Sequence, residues 1–122
     1  MKQTYETGLR GEETAENWLR ENRGMACLAR RHRNACGEID LVMLDGETVV
    51  FVEVKTRRTA APGTGMMAVG TAKQKRIARS AMAYLMATGR TDCPVRFDVV
   101  EVNAESLIHV PDAFQPGGMF YR

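Results

Sequence analysis

Residues Gly37 to Lys55 read Gly-Glu-Ile-Asp-Leu-Val-Met-Leu-Asp-Gly-Glu-Thr-Val-Val-Phe-Val-Glu-Val-Lys, and this stretch decides the fold. Two strand-like runs flank Asp45-Gly46, a strong short-range hairpin signal. With Asp45 and Gly46 in the loop, Leu44 faces Glu47, Asp40 faces Phe51 and Glu38 faces Glu53. Side chains alternate with period two, so Glu38, Asp40, Glu53 and Lys55 are expected on one face. Asp40 and Glu53 become diagonal neighbours, about 7–8 Å apart, a span that suits a divalent ion between two carboxylates. Like charges opposite each other are otherwise destabilising, and a cation or a lysine would relieve the cost. A one-residue slip would move half of the set to the other face.

Before the hairpin, Tyr5 to Asn22 reads as a helix whose stripe holds Gly8, Gly11, Glu12, Ala15, Trp18, Leu19 and Asn22. Two glycines in a helix each cost about 1 kcal/mol relative to alanine, which points to a close approach there. Glu6, Glu13, Glu16 and Glu21 lie off the stripe and are expected in water. Glu12 lies inside it and wants a partner: a metal site on the facing sheet or, from the stripe's edge, water or an arginine. Gly24 is a helix stop. Met25 to Arg30 reads as a strand with Met25, Cys27 and Ala29 on one face, and Arg30 to Asn34 as a polar connection. His32 and His109 have no partners at metal-ligand spacing and are read as incidental.

After the hairpin, Thr56 to about Met67 reads as a long loop of the kind that carries function. Thr71 to Thr88 reads as a second helix, with Ile77, Ala78, Ala81, Tyr84, Leu85 and Thr88 inward, Met82 and Met86 as packing, and Gly89 beyond its end. Val95–Val102 and Leu107–Val110 read as strands, and about 112–122 as an irregular tail. The order is helix, three strands, helix, one or two strands. A crossover through the second helix would make the later strand parallel to a neighbour. The expected class is α/β, a sandwich with a mixed sheet, as a single domain over residues 1–122.

Composition narrows the partners. The chain has 122 residues, 44% hydrophobic and 26% charged, ordinary for a soluble globular protein. No apolar run approaches the ~20 residues needed to span a membrane, and no signal-peptide core is seen, so a cytoplasmic protein without a membrane partner is expected. Three scattered cysteines without a Cys-x-x-Cys argue for reduced thiols. Net charge is only +2, but Val54 to Thr91 contains no acid and holds Lys55, Arg57, Arg58, Lys73, Lys75, Arg76, Arg79 and Arg90. Arg23 to Ala35 is likewise acid-free and holds Arg23, Arg30, Arg31 and Arg33. Such segregation suits a phosphate-binding surface, and equally a solvated helix face beside a basic loop.

An Asp followed by Glu-x-Lys at the end of a buried strand is a coherent catalytic set. Asp40 and Glu53 supply hard oxygen ligands for Mg²⁺ or Mn²⁺, and the Val54 carbonyl could add a third. Lys55 could position an attacking water, and Glu12 could support the centre from the helix side. Glu38 would support the same face or pair with an arginine of the preceding connection. No Ser/His/Asp set, Walker-type loop or His-rich zinc motif competes.

Asp40 with Glu53-Val54-Lys55 resembles the active site of the restriction-endonuclease-like superfamily, the PD-(D/E)xK nucleases. The wider pattern is similar to the YraN family of predicted endonucleases, distantly similar to archaeal Holliday junction resolvases. The matching pieces are Gly8-x-x-Gly11-Glu12-x-x-Ala15, Gly37-Glu38-Ile39-Asp40-Leu41, Phe51-Val52-Glu53-Val54-Lys55-Thr56-Arg57, Lys73-Gln74, Arg96-Phe97-Asp98-Val99-Val100 and Asp112-Ala113-Phe114. The resemblance implies an αβββαβ restriction-endonuclease-like sandwich, with Asp40, Glu53 and Lys55 as the catalytic core and Glu12 as the helix-borne acid. The function expected with it is a Mg²⁺- or Mn²⁺-dependent endonuclease acting on DNA, with branched or damaged DNA among the candidate substrates, and the basic stretches supply Arg31, Arg33, Arg57, Arg58, Lys73, Lys75 and Arg76 as the expected nucleic-acid contacts. A homodimer is expected by analogy with superfamily members that cut both strands. Two departures stand out: Arg31-His32-Arg33 replaces the family's Asn-aromatic-Arg, and Ile39 replaces the proline of the superfamily's name. Asp98 is as open to pairing with an arginine as to touching substrate. The competing expectation is a non-catalytic nucleic-acid-binding or adaptor protein, and a weaker one is a hydrolase of small phosphate compounds.

Overall fold

The computed structural model describes residues 5–56 and 69–116, and arranges them as α1 (Tyr5–Arg23), β1 (Ala26–Asn34), β2 (Gly37–Asp45), β3 (Thr48–Thr56), α2 (Thr71–Thr88), β4 (Val95–Val102) and β5 (Leu107–Val110). The strands form one sheet in the order β1-β2-β3-β4-β5. β1, β2 and β3 pair antiparallel, β3 and β4 parallel, and β4 and β5 antiparallel. The parallel step falls where α2 intervenes, because a parallel neighbour cannot be reached by a tight turn. The result is a mixed α/β sandwich of the expected restriction-endonuclease-like kind, αβββαββ among the described residues. No helix among them is long and apolar enough to cross a membrane.

Period-two alternation sorts the apolar residues into two cores, one on each face of the sheet. Val42, Val49, Phe51, Phe97 and Val99 pack with Ile77, Ala81, Tyr84 and Leu85 of α2. Leu41, Met43, Val50, Val52 and Val100 pack with Ala15 and Leu19 of α1. Each fully buried Val, Leu or Phe contributes about 1.5–3 kcal/mol, so both helices are held mainly by this burial. Gly11 lets α1 come close to the sheet, since a Cβ there would overlap the Thr56 hydroxyl. The close approach expected from the helix glycines is therefore found at Gly11, with the end of β3 as its partner.

Several expectations change. The hairpin loop is Gly46-Glu47, and Asp45 pairs with Thr48. Gly46 takes φ 62°, the left-handed value that a tight hairpin gives to glycine at its first loop position. The register thus moves by two residues from the expected one. An even shift keeps β2 and β3 in phase, so the sorting of their apolar residues survives. β1 is longer than expected and runs through Asn34, because residues 30–34 pair with β2 instead of forming a connection. The register also shifts between Cys27 and Ala29. Met25 and Cys27 consequently face α1 while Ala29 packs on the α2 side, where one common face was expected.

Glu16 is 3% exposed, not solvated, because Arg30 of β1 clasps it with two hydrogen bonds of 2.6 and 2.7 Å. On α2, Ser80 is buried in place of Ala78 and Thr88, and Met86 is 67% exposed instead of packed. Pro111 to Pro116 has no regular structure, as expected, yet it is docked. Ala113 N–H donates to the Phe97 carbonyl at 2.7 Å, and the Phe114 ring stacks on Phe97.

Candidate active site

The β2–β3 ladder ends at Leu41 and Val52, and one step further Asp40 and Glu53 come opposite each other. The side-chain alternation of β2 breaks at this point. Leu41 packs toward α1, whereas Ile39, two residues before it, belongs to the α2-side core. β1 does the same beside it: Arg30 reaches Glu16 of α1, while the His32 ring meets Tyr84 of α2. Arg31, between them, has φ 46°, a conformation costing a non-glycine residue about 1–3 kcal/mol. Asp40 is the matching residue of β2. Its carboxylate turns in toward β3 and accepts the Val54 N–H at 2.8 Å. In an extended strand one residue's N–H and C=O leave on the same edge, so the Val54 carbonyl points into the same fork.

Side chains from both faces converge on this fork. Glu53, only 8% exposed, leaves β3 on the α2 side, and Lys73 of α2 forms an ion pair with it. Lys55, two residues along β3, keeps its Nζ 3.8 Å from the same carboxylate. From the α1 side comes Glu12, held by Arg31 Nε at 2.7 Å. Of the partners expected for it, a metal site, water or an arginine, the arginine is present. Glu53 and Lys55 share a face as expected. Asp40 instead lies in the plane of the fork, and Glu38 pairs with Arg33 at 2.8 Å on the side away from Ile39. A cavity of about 460 Å³ lined by Glu12, Glu13, Glu16, Arg30, Arg31 and Leu41 opens beside Glu12.

The electrostatics follow from this crowding. Burial, then the nearby Glu53 charge, pushes the Asp40 carboxyl up to about 7, against the pull of the Val54 N–H. Burial also raises Glu12, despite its bond to Arg31, and the Glu38 and Glu53 charges add to the rise. A half-buried Asp40, a buried Glu53 and an inward carbonyl favour added positive charge at the fork. That donor set fits a hard divalent cation, since Mg²⁺ commonly takes one or two carboxylates and completes its shell with water and substrate oxygens. Among the described residues, no three His, Cys, Asp or Glu side chains cluster closely enough to hold a metal by themselves. Asp40, Glu53 and the Val54 carbonyl are therefore the residues that would hold it, with Glu12 bound to Arg31 behind them.

The expected phosphate contacts divide into three groups. Arg31 and Arg33 are paired with Glu12 and Glu38, so this part of the acid-free stretch is largely neutralised by carboxylates of other elements. Lys75 and Arg76 are exposed on α2, and Lys73 is drawn into the acidic centre. Arg57 and Arg58 lie outside the described residues. Gln74 donates from its side chain to the Val69 carbonyl at 2.9 Å, which ties down the start of α2.

Asp98 takes a structural part. It is wholly buried and receives Arg96 at 2.9 and 3.1 Å, His109 Nε2 at 2.8 Å and the Asp112 N–H at 3.0 Å. Burial alone would raise its pKa, but these hydrogen bonds outweigh it and leave the carboxyl below its usual value. His109 is thus a buried member of a network, with Arg23 on its other nitrogen at 3.4 Å, and not incidental. His32 approaches Asn34 at 3.0 Å and lies edge-on to Tyr84. Sequence reasoning also missed that Lys73 belongs to the acidic centre. The available signal was a lysine in the first turn of a helix whose first turn has no acid.

Comparison with known proteins finds one family over most of the chain. The model of uncharacterised protein family UPF0102 matches residues 11–102, a span that includes Glu12, Asp40, Glu53, Lys55 and Lys73. A UPF0102 protein of Chlorobium chlorochromatii (strain CaD3) is 41% identical over 121 residues, covering 91% of this chain and 92% of that one. Another, from Symbiobacterium thermophilum, is 50% identical over 95 residues, covering 78% and 80%. A third, from Geobacter sulfurreducens, is 41% identical over 113 residues, covering 88% of each. The chain belongs to uncharacterised protein family UPF0102.

Proposed function

We propose that this protein is a Mg²⁺- or Mn²⁺-dependent endonuclease that hydrolyses phosphodiester bonds in DNA. The observation that carries it is the fork between β2 and β3, where Asp40 and Glu53 come opposite each other in register with Lys55 beside Glu53. Two carboxylates crowded at the end of a hydrophobic strand call for positive charge, which Lys73 and Lys55 supply on the Glu53 side and a divalent ion would supply to both. A divalent ion held there would neutralise charge developing on the phosphoryl oxygens and make a water more acidic. Lys55, fixed by its place on β3 and 3.8 Å from Glu53, is set to orient the attacking water and stabilise charge on the phosphate. The Val54 N–H holds the Asp40 carboxylate in the fork, and Arg31 holds Glu12 behind it. Lys75 and Arg76, exposed on α2, would seat the flanking phosphates.

Asp40→Asn and Lys55→Ala test these roles. Each should abolish Mn²⁺-dependent cleavage while circular dichroism stays that of the wild type. Wild-type cleavage by either folded variant would remove that residue from the chemistry. The adaptor reading keeps only the basic surface. Salt-sensitive DNA binding without any Mg²⁺ or Mn²⁺ binding in calorimetry would favour it. A homodimer is proposed by analogy alone, and sedimentation of the free protein decides it.

A further inference from the structure

Lys73 stands where a lysine is disfavoured. It is in the first turn of α2, after the Gly70 N-cap, where a cation opposes the helix macrodipole. Its ammonium is nevertheless paired with Glu53. Lys55 already stands 3.8 Å from the same Glu53 oxygen, so the buried carboxylate has lysines from two elements beside it. The two lysines differ in freedom. Lys55 is rooted in β3 itself and its side chain is 18% exposed, whereas Lys73 reaches across from α2 and is 40% exposed. A lysine is a point charge on a flexible four-carbon stem, so Lys73 can leave Glu53 and remain solvated.

We propose that Lys73 is a displaceable counter-cation: it occupies the Glu53 carboxylate until a divalent ion binds, then turns to the phosphodiester. Lys73 thereby sets how tightly the centre holds its metal. This rests on the function proposed above. A divalent ion on Glu53 and an ammonium on the same carboxylate repel each other within a few ångströms in a poorly solvated fork. Lys73 therefore competes with the metal in the free protein and becomes available to substrate once the metal is in place. It is a positioning residue whose charge is delivered when the site is loaded.

The test is a calorimetric titration of Mn²⁺ alone into metal-free protein, for wild type, Lys73→Ala, Lys73→Gln, Arg79→Ala and Asp40→Asn. Both Lys73 variants should bind Mn²⁺ about tenfold more tightly than wild type. Arg79→Ala, which removes an exposed cation elsewhere on α2, should match wild type. Asp40→Asn should lose binding. Without Mn²⁺, Lys73→Ala should melt at a lower temperature than wild type, and it should gain more when Mn²⁺ is added. Lys73→Gln keeps a hydrogen-bonding group and supplies the answer if Lys73→Ala does not fold. Unchanged or weaker affinity in folded Lys73 variants, with Asp40→Asn still losing binding, overturns the counter-cation and leaves the metal centre standing. If neither wild type nor the Lys73 variants bind Mn²⁺, the metal centre itself fails and the counter-cation goes with it.

Discussion

Replacing Asp40 by Asn should stabilise the metal-free protein, and by more as the pH rises. Burial, followed by the Glu53 charge, carries the Asp40 carboxyl from 3.8 to about 7. Between those two values the native state keeps a proton that the unfolded chain has released. Stability therefore falls as pH climbs through this window, and the full penalty is present above it. At about 1.36 kcal/mol per unit, the penalty is about 1.5 kcal/mol near pH 5 and about 4 kcal/mol near pH 8. Asparagine is neutral and of nearly the same shape, and its amide oxygen can still accept the Val54 N–H. Urea unfolding in the presence of a chelator, for wild type and Asp40→Asn across this pH range, measures the difference. The variant's advantage should grow by about 2–3 kcal/mol from the acid to the alkaline end. An advantage independent of pH, or a variant no more stable than wild type near pH 8, would refute the claim that Asp40 is a desolvated carboxylate held against Glu53.

Other parts of the structure make separate predictions. Gly11→Ala would drive a Cβ into the Thr56 hydroxyl, an overpacking cost of about 1–3 kcal/mol offset by about 1 kcal/mol of helix propensity. A net loss in urea unfolding is expected, and Thr56→Ala in the same chain should recover most of it. Asp98→Ala should cost about 3–5 kcal/mol in the same assay, because it leaves the buried His109 Nε2–H and the Asp112 N–H without their acceptor and Arg96 with Asp45 as its remaining carboxylate. The Asp98 carboxyl is held below 3.8, so its contribution is present above that pH and fades as pH falls through the folded value. Lys75→Ala and Arg76→Ala should each lower the salt slope of DNA binding by about 0.9 if each contacts one phosphate, measured by anisotropy at several ionic strengths.

Much of the fold was legible because it depends on period and parity. The two helices, the hairpin and the parallel crossover follow from apolar spacing and connection length, and both helices end within a residue of where their patterns stop. The hairpin register was misjudged by two residues, but that even number kept β3 correctly phased, so Glu53 and Lys55 remained together. What the spacing could not show was the break at Asp40 and Arg31. Regular alternation put Glu38 and Asp40 on the face of Glu53, whereas the left-handed Arg31 and the inward turn of Asp40 redirect them. That break depends on tertiary contacts: Glu12 from α1 on Arg31, and the Val54 N–H on Asp40. Glu16 was illegible for the same kind of reason. A glutamate off the apolar stripe reads as solvated until a strand 14 residues away supplies an arginine that covers it. Lys73 carried a weak local signal, its poor position at a helix start, and only the packing of α2 against the fork gives it meaning.

The central claim is that the Asp40–Glu53 fork binds a divalent cation in order to cut DNA. A cleavage panel of linear, flapped, forked and four-way DNA with Mn²⁺ tests it most directly, with Asp40→Asn as the control. At least one substrate should be cut by the wild type only when Mn²⁺ is present, and none by folded Asp40→Asn. Equal cutting by both proteins, or no cutting of any substrate under conditions where the wild type still binds DNA, would contradict it.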